Sequence, residues 1–284
     1  MLPPTGIHIH PRAIAVKWGS IGQGRIGFNP VNSGREEVQS SALNPTECCS
    51  RGYRVMEIRI ESLLAGAKGA KGVVVVIDVY RAFTTASVAL MRGAERIVLT
   101  ADIDDALMLY RQKVGELTVG EVGGKKPEGF DYGNSPQGLS ELDLRGKTPI
   151  LSTRAGTVGV NAARHADEVF GVALINAMAT VRAIRRRNPS LVTLVPMGQE
   201  GLCRADEDEL CAIYLKNLLL ERKMDPDAIR QIILASSESA KFDDPKQPHF
   251  PPKDRDWALH INEAPFAIRI ARKDRMLIAT REEG

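Results

Sequence analysis

The 284-residue sequence predicts an α/β fold, a three-layer αβα arrangement around a mostly parallel sheet. Short runs rich in Val, Ile and Leu, typical of strands buried on both faces, alternate with longer segments of helical periodicity. This alternation predicts parallel strands joined by crossover helices. The composition, 43% apolar and 26% charged, is that of a chain able to bury a sizeable core.

The ordered domain is expected to begin at Met56, where MEIRIESLL alternates like a strand and then turns helical. The strands predicted after it are 73–77, 96–99, 117–119, 148–151, 168–172 and 191–195. The predicted helices are 84–92, 103–114, 158–165, 177–187 and 206–221. Beyond Ser236, a Pro-rich connector leads to a final helix and strand pair, and a surface loop is favoured over a lid for this connector.

Residues 1–55 differ from the rest of the chain. They are rich in Gly, Pro, Ser and Asn and have no sustained period. We interpret residues 1–55 as an N-terminal extension that is either disordered or non-native, that is, translated from a misplaced start. We interpret residues 56–284 as the α/β domain. A transit peptide is disfavoured, because Arg and Ser are sparse and no amphipathic face is present. Deleting residues 1–55 is expected to cost little stability or activity.

The net charge of +3 comes from this extension. Of the 38 Lys/Arg and 35 Asp/Glu residues, six and three respectively lie in residues 1–55, which leaves 32 of each sign in the body. A neutral body argues against a nucleic-acid partner. No apolar run approaches the roughly 20 residues that span a bilayer, and no secretory signal is recognisable, so we expect no membrane partner and a cytoplasmic location.

Several kinds of site are disfavoured. The four cysteines have no CxxC spacing and the five histidines no HExxH spacing, so a bound metal would be one that prefers oxygen ligands. The absence of GxxxxGK[ST] and GxGxxG disfavours an ATP-driven or dinucleotide enzyme. A haloacid-dehalogenase mechanism needs a second Asp two residues after Asp78, where the chain has Tyr80.

The stretch VVVVIDVYRAFTTA places Asp78 directly after an apolar strand. Burying an ionised carboxylate without a partner is costly, so Asp78 is expected to reach the surface or to meet a cation. Ligands of parallel α/β sheets bind beyond the carboxyl ends of strands, and the helix starting at Thr84 and Thr85 offers N–H groups to an anion. Two interpretations stay open: Asp78 holds a cation while Arg81 holds an anion, or the two side chains pair and a Thr caps the helix.

Other predicted strand ends carry polar groups too. Glu121 begins a Gly-rich loop, 120–138, of a length that is usually functional. The same loop holds Asn134 and Ser135. The loop STRAGT, 152–157, presents Arg154 and Thr157. Asn176 ends another strand, where it is either a ligand or a helix cap.

The acid cluster 206–208 follows the last predicted strand of the series. Asp206 is most simply a helix N-cap. Glu207 and Asp208 are either first-turn acids favoured by the helix dipole or the source of a metal ligand.

Carboxylates and arginines at one edge of the sheet suggest a hard divalent cation and an oxyanion, the requirements of phosphoryl transfer. The predicted Mg²⁺ ligands are Asp78, Glu121 and Asp208. The predicted catalytic residues are Asp78, Glu121 and Arg81. The predicted substrate-binding residues are Arg154, Thr84, Thr85, Asn134, Ser135, Thr157 and Asn176. The attacking group is metal-bound water or, in competition with it, Asp78.

Taken in order, VVVIDVYRAFTTA (74–86), GE with GFDYGNSP (120–121 and 129–136), STRAGT and INA (175–177) resemble the ComB family, the Mg²⁺-dependent 2-phosphosulfolactate phosphatases. The resemblance covers roughly residues 56–220. It implies a three-layer α/β enzyme that hydrolyses 2-phospho-3-sulfolactate to 3-sulfolactate and phosphate, as in coenzyme M biosynthesis. Asp78, Arg81, Glu121, Asn134 and Asp208 take the positions of the family's polar motif residues.

The chain departs from many relatives of that family near the first turn and in the STRAGT loop. Arg154-Ala155 stands at and beside an Asn position, and Tyr80 and Phe83 replace smaller or aliphatic residues. We expect these departures to lie at the substrate rim. The favoured function is hydrolysis of a small anionic phosphate ester, and the alternative is a non-catalytic anion-binding module that senses a phosphorylated or sulfonated metabolite. A homo-oligomer is left open.

Overall fold

A single ten-stranded sheet organises the described part of the chain, residues 56–283 of a computed structural model. The predicted N-terminal extension, 1–55, lies outside the described residues. The strands are β1 (Glu57–Ile60), β2 (Gly72–Ile77), β3 (Ile97–Thr100), β4 (Leu117–Gly120), β5 (Tyr132–Gly133), β6 (Pro149–Ser152), β7 (Ala166–Val172), β8 (Leu191–Pro196), β9 (Phe266–Lys273) and β10 (Met276–Glu283).

Helices cover both faces of this sheet. They are α1 (Leu63–Gly69), α2 (Ala82–Met91), α3 (Ile103–Arg111), α4 (Pro136–Ser140), α5 (Gly156–Ala162), α6 (Ala177–Arg187), α7 (Asp206–Leu219), α8 (Pro226–Leu234), α9 (Ser237–Ala240) and α10 (Pro252–Ala258). Within residues 56–283, no helix combines the length and the apolar character that a membrane crossing demands.

The strand order is β1-β8-β2-β7-β9-β10-β3-β6-β4-β5. Six of the nine pairings are parallel, which confirms the predicted mostly parallel sheet. The other three, β7–β9, β9–β10 and β10–β3, are antiparallel. The C-terminal hairpin β9–β10 is therefore inserted between two parallel blocks of four strands each.

This insertion changes how the strand ends relate to one another. Because three antiparallel pairings separate β7 from β3, the two parallel blocks run in opposite directions along the sheet. The polar strand ends therefore do not all lie at one edge of a uniform parallel sheet, and that expectation is wrong. The loops after β2 and β6 still meet, because the Gly156 amide at the start of α5 donates to the Asp78 carboxylate at 2.7 Å.

The core lies against the central strands. Val74, Val75, Val76 and Ile77 of β2 are completely buried, as expected for a strand covered on both faces, whereas the edge strand β1 alternates in exposure. Helix α6 has the predicted bounds. The start of α2 is two residues earlier than predicted, because Asp78 Oδ1 accepts the amide hydrogen of Ala82 at 3.0 Å and so fixes the first turn.

The connector after Ser236 is more ordered than the sequence suggests. It forms α9, a short 3₁₀ turn at Lys241–Asp243 and then α10, and its residues Ser237 to Phe250 help to enclose a cavity. The prediction of a simple surface loop is therefore wrong. Only some of its side chains, among them Glu238, Lys241 and Phe250, line the cavity, and many of the others are exposed.

Candidate active site

A cavity of about 350 Å³ lies where the loops after β2, β4, β6 and β8 meet the connector. Five of the predicted site residues line it, namely Asp78, Arg81, Glu121, Asn134 and Arg154. The other lining residues include Tyr80, Gly124, Gly198, Gln199, Glu200, Glu207, Glu238, Lys241 and Phe250. Polar strand ends that are far apart in the sequence thus converge on one cavity.

The buried Asp78 carboxylate is stabilised by backbone hydrogen bonds, which the sequence did not predict. It is only 4% exposed and forms no ion pair among the described residues, so the expectations of surface exposure and of pairing with Arg81 are wrong. Its two oxygens instead accept backbone N–H groups, Oδ1 from Ala82 at 3.0 Å and Oδ2 from Gly156 at 2.7 Å. These bonds hold the carboxylate at the cavity wall, and the cap at the start of α2 is Asp78 rather than a Thr.

Burial, with a smaller contribution from the charge of Glu121, raises the pKa of Asp78 to about 6. The Ala82 and Gly156 amides and the ammonium of Lys241 act in the opposite direction. Asp78 and Glu121 accept amide hydrogens from Gly156 and Arg154, two residues apart in one loop, so carboxylates from the two parallel blocks are neighbours. A cation bound between them would favour the ionised form of both.

Glu121 joins two of the loops. Its Oε1 accepts the Arg154 amide hydrogen and its Oε2 that of Gly124, both at 2.8 Å. Gly124 has φ +78°, and a Cβ there would lie 2.2 Å from the Phe250 ring. A glycine is therefore required for this loop to close against the connector.

Arg81 is 3% exposed and tied to protein groups on several sides. Its Nη1 donates to Asp254 Oδ2 at 2.6 Å and to the His249 carbonyl at 2.9 Å, and its Nη2 donates to the Gly124 carbonyl at 3.1 Å. The guanidinium carbon lies 4.6 Å from the centre of the Phe250 ring. A guanidinium has five N–H donors, so two remain for a ligand.

Three polar groups face the cavity without protein partners. The guanidinium of Arg154 makes no hydrogen bond or ion pair to the described residues, since only its backbone is held. Asn134 and Glu207 are 4% and 3% exposed, and Asn134 Oδ1 and Glu207 Oε2 have no partner within residues 56–283. Buried oxygens normally have a partner, so these two point to a ligand.

The remaining predicted residues do not line the cavity. Thr84 donates to the Val79 carbonyl at 2.8 Å, and Thr157 donates to the Thr153 carbonyl at the same distance. Asn176 is the N-cap residue of α6, but its side chain makes no cap hydrogen bond there and instead accepts the Ala173 amide hydrogen at 2.9 Å. These side chains support the backbone behind the site.

Ser135 caps α4 and donates to Asp254 Oδ1 at 2.7 Å. It thereby positions the counter-ion of Arg81. The hydroxyl of Thr85 is buried with no hydrogen-bond partner among residues 56–283, and Thr85 does not line the cavity.

Asp208 forms hydrogen bonds to two loops, the one that follows β2 and the one that follows β8. Its Oδ1 accepts the Val79 amide hydrogen at 2.7 Å and its Oδ2 that of Gly198 at 2.8 Å, and it is 2% exposed. Burial, together with the charges of Glu207 and Asp78, raises the pKa of Asp208 well above its ordinary value. The neighbouring Glu207 lines the cavity instead. Burial raises the pKa of Glu207 to about 7.

The cavity carries more negative than positive charge. Its walls contain five carboxylates, Asp78, Glu121, Glu200, Glu207 and Glu238, and three cationic side chains, Arg81, Arg154 and Lys241. Arg81 is already paired with the completely buried Asp254, so little positive charge is left to balance the walls. Such a cavity would bind a polyanion poorly unless a cation entered with it.

The residues present fit a magnesium ion. Within residues 56–283, no three His, Cys, Asp or Glu side chains form a ready cluster of metal ligands, and Asp78, Glu121 and Asp208 do not form one. Mg²⁺ does not require such a cluster, since it commonly uses one or two carboxylates with water and phosphate oxygens. Asp78 and Glu121, two carboxylates at the same cavity, supply ligands of that kind.

Two departures noted in the sequence have different locations. Tyr80 lines the cavity, as expected, and its ring packs against Phe242 with centroids 4.8 Å apart. Phe83 is completely buried, and a Cβ at Gly171 would lie 2.1 Å from its ring. The expectation that Phe83 lies at the substrate rim is therefore wrong, because it fills the core.

Sequence reasoning missed Asp254 and Lys241 entirely. Asp254 is the partner of Arg81, 173 positions away in the chain. Lys241 lines the cavity from the connector. The only available signal was a run of charged residues among prolines, which does not distinguish a cavity wall from a solvated loop.

A family model described as 2-phosphosulpholactate phosphatase matches residues 59–248. That range contains every residue named above as lining the cavity except Phe250, and it ends before Asp254. The matched segment is thus the one whose loops build the cavity.

The chain is similar to proteins named "Probable 2-phosphosulfolactate phosphatase" in three organisms. Identity is 40% over 150 residues with that of Carboxydothermus hydrogenoformans, covering 53% of this chain and 61% of the relative. It is 31% over 215 residues with that of Thermus thermophilus, covering 75% and 85%. It is 38% over 148 residues with that of a Synechococcus strain, covering 51% and 60%. The chain thus spans about three fifths of the first and third relatives and most of the second, and it belongs to the 2-phosphosulpholactate phosphatase family.

Proposed function

We propose that this protein hydrolyses the phosphate ester of 2-phospho-3-sulfolactate with the help of Mg²⁺ and releases 3-sulfolactate and phosphate. The family and the names of the relatives support a phosphoric monoester hydrolase. The main observation behind the proposal is a pair of hydrogen bonds, from the Gly156 amide to Asp78 and from the Arg154 amide to Glu121. These bonds bring two carboxylates and a free arginine to one cavity.

Asp78 and Glu121 would hold the magnesium ion, and Glu207 lines the same cavity without forming a three-carboxylate cluster with them. Asp208 is a weaker candidate than the sequence suggests, because it does not line the cavity that Asp78 and Glu121 share. When bound, the cation supplies Lewis-acid polarisation of the phosphoryl oxygens.

The arginines bind the substrate in this proposal. Arg154 offers an unpaired guanidinium, and Arg81 offers the two N–H donors that its protein contacts leave free. Water is the attacking species rather than Asp78, because attack by this carboxylate would break or stretch its bonds to Ala82 and Gly156. Water attacks phosphorus in line with the ester oxygen, the P–O ester bond breaks, and a proton from the water passes to the leaving oxygen to give 3-sulfolactate and phosphate.

The alternative of a non-catalytic sensor is less well supported. A sensor needs its cations and helix starts but has no use for converging carboxylates, and the charge of Glu121 does reach Asp78. The members to which the chain is similar are named as phosphatases. A cytoplasmic location and a homo-oligomer stay predictions from the sequence.

The experiment is a phosphate-release assay on three esters with Mg²⁺. They are 2-phospho-3-sulfolactate, 2-phospholactate, which lacks only the sulfonate, and a simple aryl phosphate. We expect the sulfonated ester to give the highest kcat/KM. Release from none of the three would contradict the proposal and favour the sensor.

A further inference from the structure

Lys241 is a cation in the cavity wall that the proposed hydrolysis does not yet use. It begins the 3₁₀ turn that follows α9, and its side chain is 18% exposed. Its ammonium nitrogen lies 2.8 Å from Glu238 Oε2. Glu238 and Lys241 both line the cavity.

Three aromatic rings surround this ammonium group. The nitrogen lies 4.8 Å from the centre of the Phe250 ring, 5.7 Å from that of Phe242 and 5.8 Å from that of Tyr80. The rings pack on one another, with Phe242 and Phe250 centroids 5.6 Å apart. Ring faces attract a cation electrostatically, so they help to hold the ammonium in place beside its ion-pair partner Glu238.

The ammonium keeps donors for a ligand. It has three N–H donors and makes one hydrogen bond to the described residues, the bond to Glu238. Lys241 lines the same cavity as Asp78 and Glu207, so its ammonium lies at a wall of the space that a ligand would occupy. A fixed, partly desolvated cation with two unused donors is suited to bind an oxyanion.

The cations of the cavity come from separate segments, and two of them are already paired, Arg81 with Asp254 and Lys241 with Glu238. Arg81 follows β2, Arg154 follows β6 and Lys241 lies in the connector, so three separate segments each bring one cation to the cavity. The proposed substrate has three acid groups: a phosphate, a carboxylate and a sulfonate. The phosphate is assigned to the Asp78 and Glu121 side, where the magnesium ion would lie.

We propose that Lys241 binds an acid group of the substrate other than the phosphate and so selects phosphate esters of acids over neutral esters. This inference rests on the proposed function for the identity of the substrate. The shared chemistry is an oxyanion, either the carboxylate or the sulfonate. Tyr80, a departure from many relatives, contributes one of the three rings.

The test measures binding and turnover separately. Isothermal titration with 3-sulfolactate and with inorganic phosphate, in Mg²⁺, compares the unmodified protein with Lys241→Met, Lys241→Arg and the control Lys246→Met, an exposed lysine of the same connector outside the cavity. We expect Lys241→Met to weaken 3-sulfolactate binding by about tenfold or more and to leave phosphate binding within about twofold, because a charge-assisted hydrogen bond is lost. Lys241→Arg should restore most of the affinity, and Lys246→Met should change neither ligand.

Turnover then separates the two acid groups. If Lys241 contacts the sulfonate, Lys241→Met raises KM for 2-phospho-3-sulfolactate but not for 2-phospholactate. If it contacts the carboxylate, KM rises for both while that for an aryl phosphate stays unchanged. Should the Met variant not fold, Lys241→Gln carries the same comparison.

Two results overturn the inference: equal weakening of 3-sulfolactate and phosphate, or no weakening of either. Failure of the proposed function gives a different pattern. A protein that binds 3-sulfolactate through Lys241 but hydrolyses no ester refutes hydrolysis and upholds the binding role. A protein that hydrolyses the ester equally well without Lys241 refutes only the binding role.

Discussion

Asp78 Oδ2 accepts the amide hydrogen of Gly156 at 2.7 Å, and this bond joins the end of β2 to the start of α5. An ideal Cβ at position 156 would lie 2.8 Å from the Cβ of Ala82 and 2.9 Å from Asp78 Oδ2. Only glycine permits the two chain segments to approach this closely. The two parallel blocks of the sheet share a cavity because of this contact.

Gly156→Ala should therefore displace Asp78. We expect kcat/KM to fall by about tenfold or more and the free energy of unfolding to fall by about 1–3 kcal/mol, because the added methyl group overpacks a buried contact. Steady-state kinetics and urea unfolding measure the two effects. Gly69→Ala is the control, since a Cβ there meets nothing within 4 Å. Unchanged activity and stability in Gly156→Ala would show that the close approach is unimportant.

Asp78→Asn tests the carboxylate itself. Activity should fall by more than about 10²-fold, since loss of even an outer partner of a metal ligand costs about 10–100-fold. Stability should fall by about 1–3 kcal/mol, because the new amide N–H₂ would face a backbone N–H of Ala82 or Gly156. Circular dichroism should show a folded protein. The matched control is Asp167→Asn at an exposed carboxylate, and an Asp78→Asn variant as active as this control would argue against the proposed site.

Stability should depend on pH through Asp78 and Glu207. Burial raises their pKa values to about 6 and about 7, above the ordinary 3.8 and 4.5, so the folded protein holds protons that the unfolded chain releases. The stabilising contribution of both groups is therefore complete below about pH 4 and is lost as the pH rises through about 6–7. In chelator, urea unfolding of Asp78→Asn should lose less stability over this interval than the unmodified protein.

Parallel stability curves for the two proteins would refute that assignment. Added Mg²⁺ should stabilise the unmodified protein more at the upper end of the interval than at the lower end, because the cation competes with protons for the same oxygens.

Asp254→Asn tests the buried ion pair with Arg81, whose side chains are 0% and 2% exposed respectively. Removing one partner leaves a buried uncompensated charge, so we expect a loss of about 3–5 kcal/mol in the free energy of unfolding. Asp143→Asn, at an ion pair whose side chains are 59% and 83% exposed, should leave the urea midpoint unchanged. Equal effects in the two variants would mean that the Arg81–Asp254 pair contributes no more than a surface pair.

The fold class was predictable because its signals are local. The unbroken apolar run of β2 and the helical period of α6 each follow from neighbouring residues. The insertion of β9–β10 between the two parallel blocks was not predictable, because strand partners are chosen by contacts between distant segments. No pattern within the hairpin states that its neighbours are β7 and β3.

Some residues of the site could likewise be predicted from the sequence and others could not. Asp78 and Glu121 could be predicted because each directly follows a strand. Whether Glu207 or Asp208 faces the cavity depends on the rotation of α7, in which adjacent residues point about 100° apart, and composition does not fix that rotation. The partner of Arg81 and the aromatic setting of Lys241 arise only when the connector folds back on the sheet.

Cation-assisted hydrolysis at this cavity is tested most directly by phosphate release from 2-phospho-3-sulfolactate. Release by the unmodified protein is measured with Mg²⁺ and again after chelation. We predict release that requires the cation, returns when Mg²⁺ is restored and is lost in Asp78→Asn. Release that persists in chelator and in Asp78→Asn, or no release under any of these conditions, would contradict a cation-assisted hydrolysis at this cavity.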